Sequence, residues 1–162
     1  MATASKVGVT TYATPTDREV VITRVVDAPR RVVFDAWTNR THVPQWLLGP
    51  EGWTMPVCEI DLRPGGKWRY VWRKSDGREM TLHGSYREVV PPERLVWTES
   101  WGPEWPETVN TMVLTEVGGQ TTITLTVRYP TKEARDAALK TGMKEGMDQG
   151  FARLDKLLRA LV

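Results

Sequence analysis

Between Trp53 and Tyr129 the apolar positions recur at every second residue. Such alternation sends successive side chains to opposite faces of a strand. It predicts strands over residues 54–62, 66–74, 79–89, 94–101, 108–117 and 120–129. The run Thr122-Ile123-Thr124-Leu125-Thr126-Val127 alternates most cleanly, which implies one buried and one solvated face. The interruptions are turn chemistry: Pro64-Gly65-Gly66, Ser75-Asp76-Gly77, Pro91-Pro92 and Gly118-Gly119. Asp-Gly and Gly-Gly pairs accept the positive φ that tight hairpins demand. Connections this short allow only antiparallel neighbours, because a parallel pair needs a crossover of about a dozen residues.

Either side of this block the pattern differs. Residues 19–26 are short and β-branched and predict a first strand, ended by Asp27-Ala28-Pro29. Pro29 suits the first position of a helix, where its missing N–H would be unpaired anyway. Val33, Ala36 and Trp37 follow at helical spacing. A second short helix is expected from about residue 41 to 48, with Pro44 in its first turn and Gly49-Pro50 as its stop. After Pro130 one long helix is predicted to about Leu161, with Thr131 as N-cap and Glu133 in the first turn. Phe151, Leu154, Leu158 and Leu161 form its apolar stripe. Gly142, Gly146 and Gly150 recur every four residues beside that stripe. Each glycine costs a helix about 1 kcal/mol against alanine. The spacing therefore points to a close approach, either to the sheet or to a ligand.

The order is one strand, two short helices, six meandering strands and a long helix. It predicts an α+β fold in which a curved antiparallel sheet of about seven strands wraps the C-terminal helix. A sheet gripping a helix leaves a hollow, and such pockets are concave and mostly apolar with few polar groups. Residues 1–18, rich in Thr, Ala and Ser, read as a flexible tail. Residues 19–162 read as a single domain, in keeping with about 100–200 residues per domain.

Composition sharpens this. Of the 14 aromatics, given as 8 Trp, 4 Tyr and 2 Phe, more than half are Trp. Trp is large and carries a polar edge that wants a partner, so a surplus suggests a cavity wall as much as a core. The net charge of +2 is too balanced for a surface that binds nucleic acid through phosphates. A single cysteine, Cys58, forbids an internal disulfide and fits a reducing cytoplasm, the expected location. No apolar run approaches the ~20 residues of a membrane span, and the first residues lack the apolar core of a signal peptide. No metal-ligand spacing and no phosphate-binding glycine loop occurs, so neither a metal nor a cofactor is expected.

Several stretches together carry a family resemblance. They are Asp27-Ala28-Pro29 with Val32, Val33, Phe34, Ala36 and Trp37; Trp46 with Gly49-Pro50; Asp61 to Gly66; Asp76-Gly77; and Gly84-Ser85-Tyr86. Pro91 to Leu95, Gly118 to Thr121 and Gly142-Met143 complete the set. In this order and spacing the chain resembles the SRPBCC superfamily of helix-grip domains, related to START lipid-transfer domains and the birch-pollen allergen. Within it, the match is to the branch named after the activator of the heat-shock-protein-90 ATPase, the AHSA1-like proteins. The resemblance covers about residues 19–161. It implies an elongated cavity between sheet and C-terminal helix, and it leaves the reaction open, because one fold hosts many functions. The co-chaperone of that name has a separate N-terminal domain that engages the chaperone. Only about 18 residues precede the first strand here. Chaperone stimulation, with the stress response it would imply, therefore ranks last among the readings.

Alternation places Trp68, Tyr70 and Trp72 on one face of a strand, and Leu95, Trp97, Glu99 and Trp101 on one face of another. Met143, Met147 and Phe151 would face them from the helix, and Met adapts to ligands of varied shape. Trp37 and Trp46 sit on the short helices that close one end. The candidate lining is thus Trp37, Trp46, Trp68, Tyr70, Trp72, Trp97, Glu99, Met143, Met147 and Phe151. Plain core packing explains the same residues. Trp101 and Trp105 flank a Gly-Pro loop that reads as a cavity mouth or a dimer contact, the chain being expected as a monomer or weak homodimer. Glu59, Asp61 and Glu99 are the carboxylates placed to enter a hollow, where a pair could do acid–base work. Asp61 and Arg63 read equally as a polar anchor or as a turn in which Asp61 pairs with an arginine. His83 reads as solvated and Cys58 as a small buried hydrophobe. No catalytic residue is assigned. The leading reading is binding of a small hydrophobic or amphipathic molecule, a lipid or an aromatic, polyketide-like compound. The alternatives are a cyclase or hydrolase in the same cavity and a protein-interaction module.

Overall fold

The computed structural model describes residues 6–162. Residues 1–5 of the tail expected over residues 1–18 lie outside the described residues. The elements are β1 (Thr10–Ala13), β2 (Glu19–Val26), α1 (Arg30–Thr38), α2 (Val43–Trp46) and β3 (Trp53–Ile60). They continue with β4 (Lys67–Lys74), β5 (Glu79–Val90), β6 (Arg94–Glu99), β7 (Thr108–Val117), β8 (Gln120–Arg128), α3 (Lys132–Leu139) and α4 (Met143–Leu161). One sheet of eight strands runs in the order β1-β2-β8-β7-β6-β5-β4-β3, antiparallel throughout. This is the α+β, helix-grip architecture the sequence pattern predicts. The six meandering strands lie within two residues of their expected limits.

Three expectations change. Residues 10–13 fall in the segment read as a tail, yet they form an edge strand, with Thr10 opposite Arg24 and Ala13 opposite Val21. Side chains hold it there. Arg24 donates to the Thr10 hydroxyl at 2.6 Å, and the Tyr12 hydroxyl donates to Asp148 on α4 at 2.8 Å. The single long helix is two helices, broken at residues 140–142. The Thr141 hydroxyl donates to the Ala138 carbonyl at 2.6 Å, and Gly142 leaves helical geometry at ψ 29° to cap α4. Pro29 is the N-cap of α1, one position before the first helical residue. Thr131 caps α3 as expected, accepting from the Ala134 N–H at 3.1 Å.

The sheet bends hardest along β5. Its first half pairs with β4 and its second half with β6. A bulge at Arg87 slips the β5–β6 register, and another between Thr54 and Val57 kinks β3. Bulges raise local twist and turn a flat ladder into a curved one. At the corner sits Gly84. A Cβ there would lie 1.8 Å from the Thr98 carbonyl oxygen. Only glycine lets the β6 backbone come so close. The Asp61–Gly66 block is a turn: Asp61 and Arg63 pair in the open at 2.9 Å, and a Cβ on Gly66 would strike the Asp61 carbonyl oxygen.

The C-terminal half of α4 closes the concave face. Phe151, Leu154 and Leu158 are fully buried against inward residues of the sheet such as Ile22, Leu95, Met112, Leu114 and Ile123. Leu161, expected on the same stripe, is exposed, because the helix there has passed the sheet. Arg24 of β2 pairs with Asp155 of α4 and lies 5.3 Å over the Phe151 ring, fixing the helix to the sheet beside its apolar contact. The glycine stripe borders the hollow under α4, and its nearest neighbours are not the sheet. Gly146 lies against Gly49 and Pro50, and Gly150 against the Trp46 carbonyl, so the close neighbours are α2 and the segment after it.

A methyl at the β5 corner meets backbone that cannot swing aside. Gly84→Ala is expected to lower stability by about 3 kcal/mol or more, the upper range for overpacking. Urea unfolding of the purified variant measures this. A loss under about 1 kcal/mol would show that the corner can relax.

Candidate functional site

Between the concave face and the N-terminal half of α4 lies a cavity of about 570 Å³. That falls inside the ~300–1,000 Å³ range of small-molecule pockets. All ten candidate residues line it: Trp37, Trp46, Trp68, Tyr70, Trp72, Trp97, Glu99, Met143, Met147 and Phe151. So do Trp53, Trp101 and Trp105, and with them every one of the 8 tryptophans borders this space.

The wall follows from strand periodicity. On β4, Trp68, Tyr70 and Trp72 point inward together, with ring centroids 4.8 Å and 5.9 Å apart. On β6, Leu95, Trp97 and Glu99 face the same way. Opposite them across the β6–β7 ladder stand Met112, Asn110 and Thr108. One end is plugged by α1 and α2, where Trp37 and Trp46 meet edge to face at 4.5 Å and the Trp46 indole donates to the Ala36 carbonyl at 2.9 Å. Trp72 holds the far side of that plug by donating to the Leu47 carbonyl at 2.8 Å. The other side of the mouth is the loop after β6. Trp101 stacks flat on Trp72 at 5.8 Å, and Trp101 and Trp105 both keep outward-facing surface while lining the cavity. This loop therefore borders the opening of the cavity and also exposes aromatic surface.

Among the described residues, Glu99 is the one charged side chain in the lining. The Trp101 indole N–H donates to its Oε2 at 3.1 Å, and the Trp97 indole N–H reaches Oε1 at 3.5 Å. Among the described residues no Lys, Arg or His comes within ion-pair distance of it. Burial raises its pKa above the ordinary carboxylate value, and the two indole donors counter this only in part. The phenols beside it stay neutral at physiological pH. Burial, then Glu99, pushes Tyr129 up to about 12, and burial with Tyr86, Cys58 and Glu99 nearby raises Tyr70.

The other polar expectations resolve outside the cavity. Glu59 and Asp61 do not enter it, because each is exposed and pairs with an arginine, Glu59 with Arg69 at 3.3 Å and Asp61 with Arg63. A carboxylate pair therefore does not form around Glu99. His83 is exposed, and His42 meets Asp35 at 3.1 Å away from the lining. Cys58 is half-buried, and burial pushes its thiol up to about 11, the opposite of an activated nucleophile. No cluster of three or more metal-ligating side chains occurs among the described residues.

The sequence reading missed part of the lining. Tyr86 shares a face with Leu82 by simple alternation, and Thr108 and Asn110 alternate with Met112, so the period-two signal was present for them. Tyr129 continues the alternation of Leu125 and Val127, so it too was signalled. The segment 47–50 and α3 carry no such signal. They reach the cavity through loop geometry and the break in the long helix.

A curved antiparallel sheet closed by a C-terminal helix over an aromatic hollow defines a helix-grip protein. The family model described as activator of Hsp90 ATPase homolog 1-like protein matches residues 27–159, and the chain belongs to that family. Among solved structures it is similar to a protein of Rhodobacter sphaeroides, at 31% identity and a TM-score of 0.88 over 94% of this chain and 99% of that one. A Staphylococcus epidermidis protein is similar at 26% identity and TM-score 0.80, over 92% of this chain and 94% of the other. An AHSA1-like protein of Aeromonas hydrophila shares the fold at 17% identity and TM-score 0.70, over 85% and 93% of the two chains. No curated protein matches. No helix among the described residues is long and apolar enough to cross a membrane.

The raised pKa of Glu99 has a thermodynamic sign. Between the unfolded value and the higher folded value, the folded chain binds more protons than the unfolded one, so this group's effect on stability worsens as pH rises through that window. Glu99→Gln removes it. The melting temperature of the variant minus that of the wild type is expected to grow from about pH 4 to about pH 7. A difference that is flat or shrinks over that range would contradict the burial of this carboxylate.

Proposed function

We propose that the protein binds a small hydrophobic or amphipathic molecule in the cavity between the sheet and α4. The observation that carries this is the space itself: a hollow of about 570 Å³ lined almost wholly by apolar and aromatic side chains. A core built only for stability closes such a volume, because unfilled space costs about 24 cal/mol per Å³. The materials of the wall agree. Tryptophan offers flat apolar area at little entropic cost, and Met143 and Met147 on the facing helix can repack around different shapes. The mouth at Trp101 and Trp105 gives a route in. Family membership supplies the fold and not the ligand.

The wall makes its own reporter. Titration with octanol is expected to change the intrinsic tryptophan fluorescence saturably. Met147→Trp, which puts a larger side chain into the hollow, should abolish saturation while the variant still melts cooperatively. Octanol binding that is unaffected by this filling would place the site elsewhere, and no saturable change in the wild type would remove the cavity reading.

A further inference from the structure

The cavity has one charge, and its placement selects among occupants. An ionised carboxylate accepts at about four lone-pair positions. Trp101 and Trp97 serve two of these, the second at a long 3.5 Å, and no other hydrogen bond reaches the Glu99 carboxylate from the described residues. The groups around it are the phenols of Tyr70 and Tyr129 and the indoles of Trp97 and Trp101. None carries positive charge. Across the inward side of the ladder, Glu99 faces Thr108, whose hydroxyl accepts from the Asn110 amide at 3.0 Å. The lining contains no Lys, Arg or His among the described residues.

An anionic head group would therefore meet a like charge, partly withdrawn from water, with nothing to offset it among the described residues, which is unfavourable in such surroundings. A neutral molecule without a donor would leave the acceptor positions of Glu99 unfilled, and one with a donor could fill them but would leave its charge without a counter-charge. A cation answers both conditions. It offsets the carboxylate, donates to its open positions, and is attracted to the electron-rich faces of indole and phenol rings. A metal ion does not fit, since among the described residues the lining offers no second carboxylate, histidine or thiolate beside Glu99.

We propose that the cavity selects lipophilic organic cations, with an ammonium head seated against Glu99 among the surrounding aromatic rings and an apolar tail in the hollow. This rests on the ligand-binding reading above and narrows it to one chemical class.

Octylamine, octanol and octanoate share a tail and differ in the head, so a fluorescence titration of the wild type at neutral pH compares the heads directly. Octylamine is expected to bind at least tenfold more tightly than octanol, and octanoate more weakly than either. In Glu99→Gln the octylamine-to-octanol affinity ratio is expected to fall by about tenfold. Equal affinities for octylamine and octanol, or preference for octanoate, would overturn the cation assignment and leave the cavity reading standing. Failure of all three to bind would overturn both. An unchanged ratio in Glu99→Gln would show that the selectivity does not come from this carboxylate. The wild-type comparison decides the matter even where the variant is too unstable to titrate.

Discussion

The hollow exists because α4 touches the sheet along only part of its length. Phe151, Leu154 and Leu158 seat its C-terminal half on the concave face, and the Arg24–Asp155 pair fixes that seat. Its N-terminal half rests instead on α2 and the segment after it, where Gly146 and Gly150 keep the surface low. The helix is thus propped at both ends of a span. The sheet turns away beneath it at β5, where the Gly84 corner and the Arg87 bulge give the curvature. Were α4 to lie flat along its whole length, Met143 and Met147 would fill the space that the tryptophans now border.

Tryptophan is used here in two ways. Trp46 and Trp72 spend their indole N–H groups on the carbonyls of Ala36 and Leu47, which ties the short helices and their exit loop to the wall. Trp97 and Trp101 turn theirs to Glu99. In both cases a large apolar ring forms the surface and one polar edge finds a partner at its back. Phenylalanine could supply the area but not the donor. Four of the 8 Trp use the donor in this way, whereas the buried indole N–H of Trp68 has no hydrogen-bond partner among the described residues and that ring contributes area alone.

Much of this was legible in the chain because strands announce their faces. The alternation in 66–74 and 94–99 placed Trp68, Tyr70, Trp72, Trp97 and Glu99 on inward faces without any coordinates. Helical spacing did the same for Phe151 and Met147. What stayed hidden depends on tertiary partners. β1 is four residues long and is held by Arg24 on the neighbouring strand and by Asp148, which lies far along the chain. The break between α3 and α4 rests on the local conformation of Thr141 and Gly142, which an apolar periodicity passes over. Glu59 and Glu99 look alike in sequence, yet one is drawn outward by Arg69 and the other has no arginine within reach.

The strand order also bears on how the chain acquires its shape. β2 pairs with β8, so the second strand to be made waits for the last strand before its inner ladder can form. Contacts this distant in sequence slow folding, because a large loop must close before any of them is rewarded. α4 comes later still. Until it is synthesised, a concave surface carrying Trp68, Trp97, Leu95, Met112 and Ile123 faces solvent with nothing to cover it. A nascent chain in that state is prone to self-association. The same aromatic concavity that makes room for a ligand in the finished protein is a hazard on the way to it, and it ends only when the final helix docks.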